Sequence, residues 1–174
     1  ITPFVKPIKI RNTGSYFDTL TQAMAQAVSG NDILVSQGTY TESIDMGPGV
    51  RLLGGYENYN WTRDIKNNVT KIISRAGVGD RAIVMAEGAS VEGFYIDGAG
   101  LYNAISVSNL SDFKLSHCWI ENSDIPLIVK GSSGSIENNE VTGNIAGLKI
   151  ENSTNVTILR NRIINIDILQ ETTV

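Results

Sequence analysis

Four stretches of the chain decide its fold when set in register: Val91-Glu92-Gly93-Phe94-Tyr95-Ile96, Leu115-Ser116-His117-Cys118-Trp119-Ile120, Ile136-Glu137-Asn138-Asn139-Glu140-Val141 and Ile158-Leu159-Arg160-Asn161-Arg162-Ile163. Their first residues are 24, 21 and 22 positions apart, and the same offsets align Phe94 with Cys118, Asn139 and Asn161, and Ile96 with Ile120, Val141 and Ile163. A second set follows independently. Ile83, Ile105, Leu127 and Leu148 are spaced 22, 22 and 21, and Met85, Val107, Val129 and Ile150 track them two residues on. Agreement of five columns marks a true internal repeat.

A unit of roughly 22 residues holding two or three short strands cannot bury its apolar side alone, so successive units must stack and share one core. Leucine-rich repeats have a similar period, but their leucine spacing is absent here and no unit holds enough helix formers for a helical segment. The preferred architecture is therefore an all-β solenoid, a parallel β-helix. With strands about 4.8 Å apart, about six coils make a rod about 25–30 Å long.

Working outward, short apolar runs at Ile33 to Val35, Ile44 to Met46, Val50 to Leu53 and Ile72 to Ile73 read as earlier strands. Before them, Leu20, Ala23, Met24, Ala27 and Val28 follow helical spacing, with Asp18 or Thr19 as N-cap and Gly30 as the stop. This helix, over residues 19 to 28, is expected to cover the first coil and protect its strand edges. The chain is expected to be one domain, with residues 1–30 supplying a strand and the capping helix and residues 31–174 the coils. Ile163 to Leu169 carries no second capping helix, so the last coil is expected to be open, calling for a partner chain, end-to-end association or downstream sequence.

Composition agrees with strands and turns: 35 of the 174 residues are Ile or Val and 17 are Gly. Lys plus Arg number 14 against 18 acidic residues, a net charge of -4 without a basic stretch, which argues against a nucleic-acid partner. No apolar run approaches the roughly 20 residues of a membrane span, so no membrane insertion is expected. An initial Ile rather than Met is expected of a mature or excised portion. The single cysteine, Cys118, excludes an internal disulfide and a cysteine-based zinc cluster.

The register pairs side chains between coils. Asp97 falls over Glu121, two carboxylates one coil apart, as in a retaining glycosidase pair or part of a calcium site; solvated turn residues are the ordinary alternative. Tyr95 falls over Trp119, then Glu140 over Arg162, so an outward aromatic platform for a sugar ring stands against a plain aromatic ladder and a surface ion pair. Lys130 over Glu151 is expected to be a surface pair. Asn139 and Asn161 are expected to point inward as a short amide ladder, Cys118 to pack in the core and His117 to face solvent. Tyr56, Tyr59 and Trp61 mark a long loop, either a binding loop or an element folded back on the rod. Gly77-Val78-Gly79 and Gly98-Ala99-Gly100 lack the third glycine and following helix of a nucleotide site and read as turns.

The stretch Gly30-Asn31-Asp32-Ile33-Leu34-Val35-Ser36-Gln37-Gly38-Thr39-Tyr40-Thr41-Glu42, after an Ala-rich helix, resembles the opening of right-handed parallel β-helix proteins of the pectin-lyase-like superfamily. Val50-Arg51-Leu52-Leu53-Gly54-Gly55-Tyr56 with Asn60-Trp61-Thr62-Arg63-Asp64 resembles the next coils of its bacterial extracellular members, and Ile136-Glu137-Asn138-Asn139 and Arg160-Asn161-Arg162 extend the likeness over nearly the whole chain. The resemblance implies right-handed coiling and a secreted, periplasmic or cell-surface location. It leaves activity open, because the superfamily includes lyases, hydrolases, epimerases, esterases, adhesins and tailspikes. Its lyases use clustered calcium-binding Asp residues with a catalytic Arg or Lys, and no segment here matches that cluster.

The function expected from the sequence is thus a noncatalytic module binding a polysaccharide or a host or neighbouring protein, with Tyr95, Trp119, Tyr56 and Tyr59 as sugar-contacting residues and no cofactor. The alternatives are a carbohydrate-active enzyme on an acidic polysaccharide, with Asp97 and Glu121 as acid and base aided by Arg160 or Arg162, and a structural stalk of a larger surface protein.

Overall fold

The computed structural model describes residues 6–75 and 81–164. The expected Gly77–Gly79 turn and the chain after Ile164 lie outside those residues. An antiparallel hairpin, β1 (Ile8–Ile10) and β2 (Tyr16–Phe17), leads into α1 (Leu20–Gln26). The first coil holds β3 (Asp32–Ser36), β4 (Gly38–Thr41) and β5 (Ile44–Asp45), and the second β6 (Arg51–Tyr56), β7 (Thr70–Ile73) and β8 (Ile83–Val84). The third holds β9 (Ser90–Glu92), β10 (Tyr95–Leu101) and β11 (Ile105–Ser108), and the fourth β12 (Phe113–Ser116), β13 (Trp119–Ser123) and β14 (Leu127–Lys130). The fifth holds β15 (Gly134–Glu137), β16 (Glu140–Thr142) and β17 (Leu148–Glu151), followed by β18 (Val156–Leu159) and β19 (Arg162–Ile164).

Every coil-to-coil pairing among the described residues is parallel, and the chain winds as a right-handed solenoid of about six turns with three lateral sheets. The register is the one the repeat implies. Leu115 pairs with Val91 and Ile136, Ile120 with Ile96 and Val141, and Leu127 with Ile105 and Leu148. Those side chains point inward into a single continuous core, where Ile96, Ile105, Ile120, Leu127, Ile136 and Val141 are fully buried.

The cap is shorter than its apolar spacing suggests. Helix α1 has seven residues and stops four positions before Gly30, because Ala27 already adopts an extended conformation and Val28 turns out to solvent. Thr19 rather than Asp18 is the N-cap, accepting from the Gln22 N–H, while Asp18 pairs with Lys6. The Glu42 carboxylate accepts from the N–H groups of Leu20 and Thr21, so the first coil itself holds the helix start. Leu20 and Ala23 close the core, and β1 covers the edge of β3 by antiparallel pairing.

A buried carboxylate fastens this cap. The Asp32 side chain, 3% exposed, receives Arg51 through Nε and Nη2 at 2.6 and 2.7 Å and Arg11 at 2.8 Å. Arg11 also donates to the Tyr56 hydroxyl at 3.0 Å, so hairpin, first coil and second coil meet at one group. Asp32→Asn is expected to cost ~2 kcal/mol, the scale of hydrogen bonds to a charged group. The urea midpoint should fall with an unchanged slope; an unmoved midpoint would show that the clasp contributes nothing to stability.

Candidate functional site

Between its first and second sheets the rod turns a corner, from the third coil on, with two residues per coil, the first of them left-handed. Gly93, His117, Asn138 and Arg160 occupy equivalent positions, and all four have left-handed backbone, with φ of 80, 52, 55 and 54°. That conformation costs an L-residue roughly 1–2 kcal/mol, least for Gly and Asn. His117 and Arg160 therefore occupy corners where glycine would be less strained, and they project side chains that glycine lacks.

The residue after each corner points inward: Phe94, Cys118 and Asn139 are buried. Asn139 and Asn161 form the expected ladder. Asn139 Nδ2 donates to Asn161 Oδ1 at 3.0 Å and to the Leu115 carbonyl at 3.0 Å, while Asn139 Oδ1 accepts from the Cys118 N–H at 2.9 Å. Asn161 Nδ2 donates in turn to the Ile136 carbonyl. Burial pushes the Cys118 thiol up to about 12, so it packs as a neutral core group rather than acting as a nucleophile.

One residue further on, Tyr95, Trp119, Glu140 and Arg162 stack on the outer face of the second sheet. The corner rank and this rank are the two sides of a trough of about 900 Å³, floored by the inward residues between them. Across its head lies the segment 57–69, inserted at the very corner that later coils turn with two residues.

That insertion is a fixed element of the rod. Trp61 packs between Tyr56 and Tyr16, with ring centroids 6.1 and 5.9 Å away. Arg63 Nε donates to the Gly54 carbonyl and Arg63 Nη1 meets Glu92 at 3.0 Å. Asp64 accepts from the N–H groups of Lys66 and Asn67, which, with the Asn67 side chain, holds its carboxyl below the usual carboxylate range. Tyr56 is the last residue of β6 and is buried, so it makes no surface for sugar, and Tyr59 is exposed on the insertion outside the trough.

The aromatic pair differs from an open platform. Tyr95 and Trp119 stack at 5.8 Å and 30°, and Lys71 Nζ lies 4.6 Å from the Tyr95 centroid from the preceding coil. Both faces of Tyr95 are thus covered by neighbours along the rod axis, and Trp119, 46% exposed, is the ring the trough presents. Glu121 fixes both rings, accepting from the Tyr95 hydroxyl and from Trp119 Nε1. Burial, reinforced by that carboxylate, pushes the Tyr95 phenol well above its ordinary value and keeps it a donor.

Asp97 does lie beside Glu121 in register, yet each is bound to other groups and neither lines the trough. Asp97 meets Lys71 at 2.9 Å and accepts from the Ala99 N–H and from Asn122 Nδ2. Burial pushes its carboxyl up, but those donors and the Lys71 charge outweigh burial and hold it below the usual range. A carboxyl so held stays ionised and is a poor general acid. Lys130 lies over Glu151 as expected, but Glu151 takes its ion pair from Lys149, at 2.7 Å.

Arg160 and Arg162 both reach the trough. Arg162 pairs with Glu140, and Arg160 makes no ion pair among the described residues. With Lys66 they place three cationic side chains against one carboxylate, in a chain whose net charge is -4. His117 stands half-exposed on the corner rank, its Nδ1 4.0 Å from Glu92. It precedes Cys118 in the repeat as Gly93 precedes Phe94, which gives it the corner position. No cluster of three or more His, Cys, Asp or Glu side chains able to hold a metal occurs among the described residues.

No protein family matches the chain, and comparison with curated proteins and with solved structures returns no match.

The Asp97–Lys71 contact predicts a pH effect of definite sign. Because the folded pKa is depressed, its stabilisation is complete above the unfolded value of about 3.9 and is lost as pH falls through the folded value. Lys71→Met should therefore move acid unfolding, followed by circular dichroism, to higher pH. Coincident curves for the variant and the parent would remove Lys71 from that role.

Proposed function

We propose that this chain is a secreted or surface-exposed β-helix module, related to bacterial extracellular members of the pectin-lyase-like superfamily, that binds carbohydrate noncatalytically in its lateral trough. The superfamily relation rests on the coil-opening and corner stretches quoted above together with the right-handed parallel solenoid. Location outside the cytoplasm follows from that relation.

The observation that carries the binding role is the meeting, in one concave surface, of an exposed indole with hydrogen-bonding and charged groups. A sugar ring binds through an apolar face and is oriented by polar neighbours. Trp119 offers the apolar contact, while Asn138 and Glu140 beside it offer acceptors and Asn138 an amide donor. The cationic excess from Lys66, Arg160 and Arg162 favours an acidic glycan. Noncatalytic binding is supported by the engagement of both candidate carboxylates, Asp97 with Lys71 and Glu121 with the two rings.

The test is a panel of polygalacturonate, alginate and chondroitin sulfate set against neutral mannan and cello-oligosaccharides. The chain has two tryptophans, so Trp61→Phe leaves Trp119 as the sole indole reporter. At least one acidic polymer should change Trp119 emission, with affinity falling as salt rises. Arg160→Ala, read by the same emission, and Trp119→Ala, read by calorimetry, should each weaken binding about tenfold, equivalent to about 1.4 kcal/mol. Release of reducing ends or unsaturated products by the same sample, or binding of none of these polymers, would overturn the assignment.

A further inference from the structure

We infer that the trough receives the end of a glycan chain rather than an internal stretch of one. This rests on the carbohydrate reading of the site and concerns how the polymer enters it.

The inference comes from where the insertion sits. The two side-chain ranks run parallel to the rod axis, so a ligand lying between them runs along the axis too. Toward the N-terminal end that path meets Ile65, Lys66 and Val69, which line the trough from the second coil. This wall is seated closely on the rod. A Cβ added at Gly93 would lie 3.0 Å from Ile65 Cγ1 and 3.1 Å from Arg63 Nη2, and one at Gly55 would lie 2.8 Å from Ile65 Cα. The corner rank is therefore interrupted at Gly93, where loop atoms occupy the space that the side chains of His117, Asn138 and Arg160 take in later coils.

Arg63, bonded to the Gly54 carbonyl and to Glu92, and Trp61, packed on Tyr56, hold the wall from behind. In the other direction the ranks continue to Arg160 and Arg162, so among the described residues the trough is walled at one end only. Trp119 lies two coil steps from Arg162, about 10 Å. The open trough, of about 900 Å³, has the volume of a small-molecule site. Such a space takes the last sugars of a chain, with the remainder leaving past the arginines.

End capture has a stoichiometric signature. Polygalacturonate, alginate and chondroitin sulfate would each be titrated calorimetrically as tetrasaccharide, decasaccharide and long polymer, with concentration counted in chains. For a polymer that binds, the expected result is one protein molecule per chain end engaged, with the same molar affinity at all three lengths. Several protein molecules per long chain, with a count rising with length, would overturn end capture and leave the carbohydrate assignment standing. Binding of none of the three overturns both together.

Discussion

Each coil owes its core to the coils on either side of it. A strand of three or four residues with one inward aliphatic row buries little surface alone, and only stacking removes both flanks of that row from water. Val91 and Ile136 are fully buried in such a column, whereas Ile158, in the same column at the last described turn, is 45% exposed. The parallel ladder that joins the coils imposes a one-to-one register at the core positions, with local shifts between β3 and β6 and between β10 and β13. Core, corners and outward ranks are all consequences of that constraint.

The register was legible because aliphatic residues recur with a spacing that only stacking explains. Asn139 and Asn161 were readable for the same reason: they fill a column begun by Phe94 and Cys118, and a polar pair in an inward column has to satisfy itself. Less could be read where contacts cross columns. Glu151 prefers Lys149, two residues away on its own strand, over Lys130 on the neighbouring coil. Tyr95 and Trp119 were placed correctly, but the sequence does not show that Lys71 from the preceding coil covers the other face of Tyr95.

The trough itself was hidden for a physical reason. Its sides come from the corner rank and the outward rank, and the corner rank has no shared chemistry: Gly, His, Asn and Arg agree only in their left-handed backbone. Hydropathy is blind to a column defined by a dihedral angle. The insertion was visible as an overlong connection, and the bonds of Arg63 and Asp64 account for its rigid seat, but its position at the head of the trough depends on which corner it interrupts.

The short corner is also a joint. Thirteen residues stand between β6 and β7 where later coils use two, yet β6 and β7 still pair in register with β9 and β10. Length added there is discharged sideways and leaves the pairing with the third coil undisturbed. A rod built this way can carry a lateral segment at a corner without repacking its stacked interior.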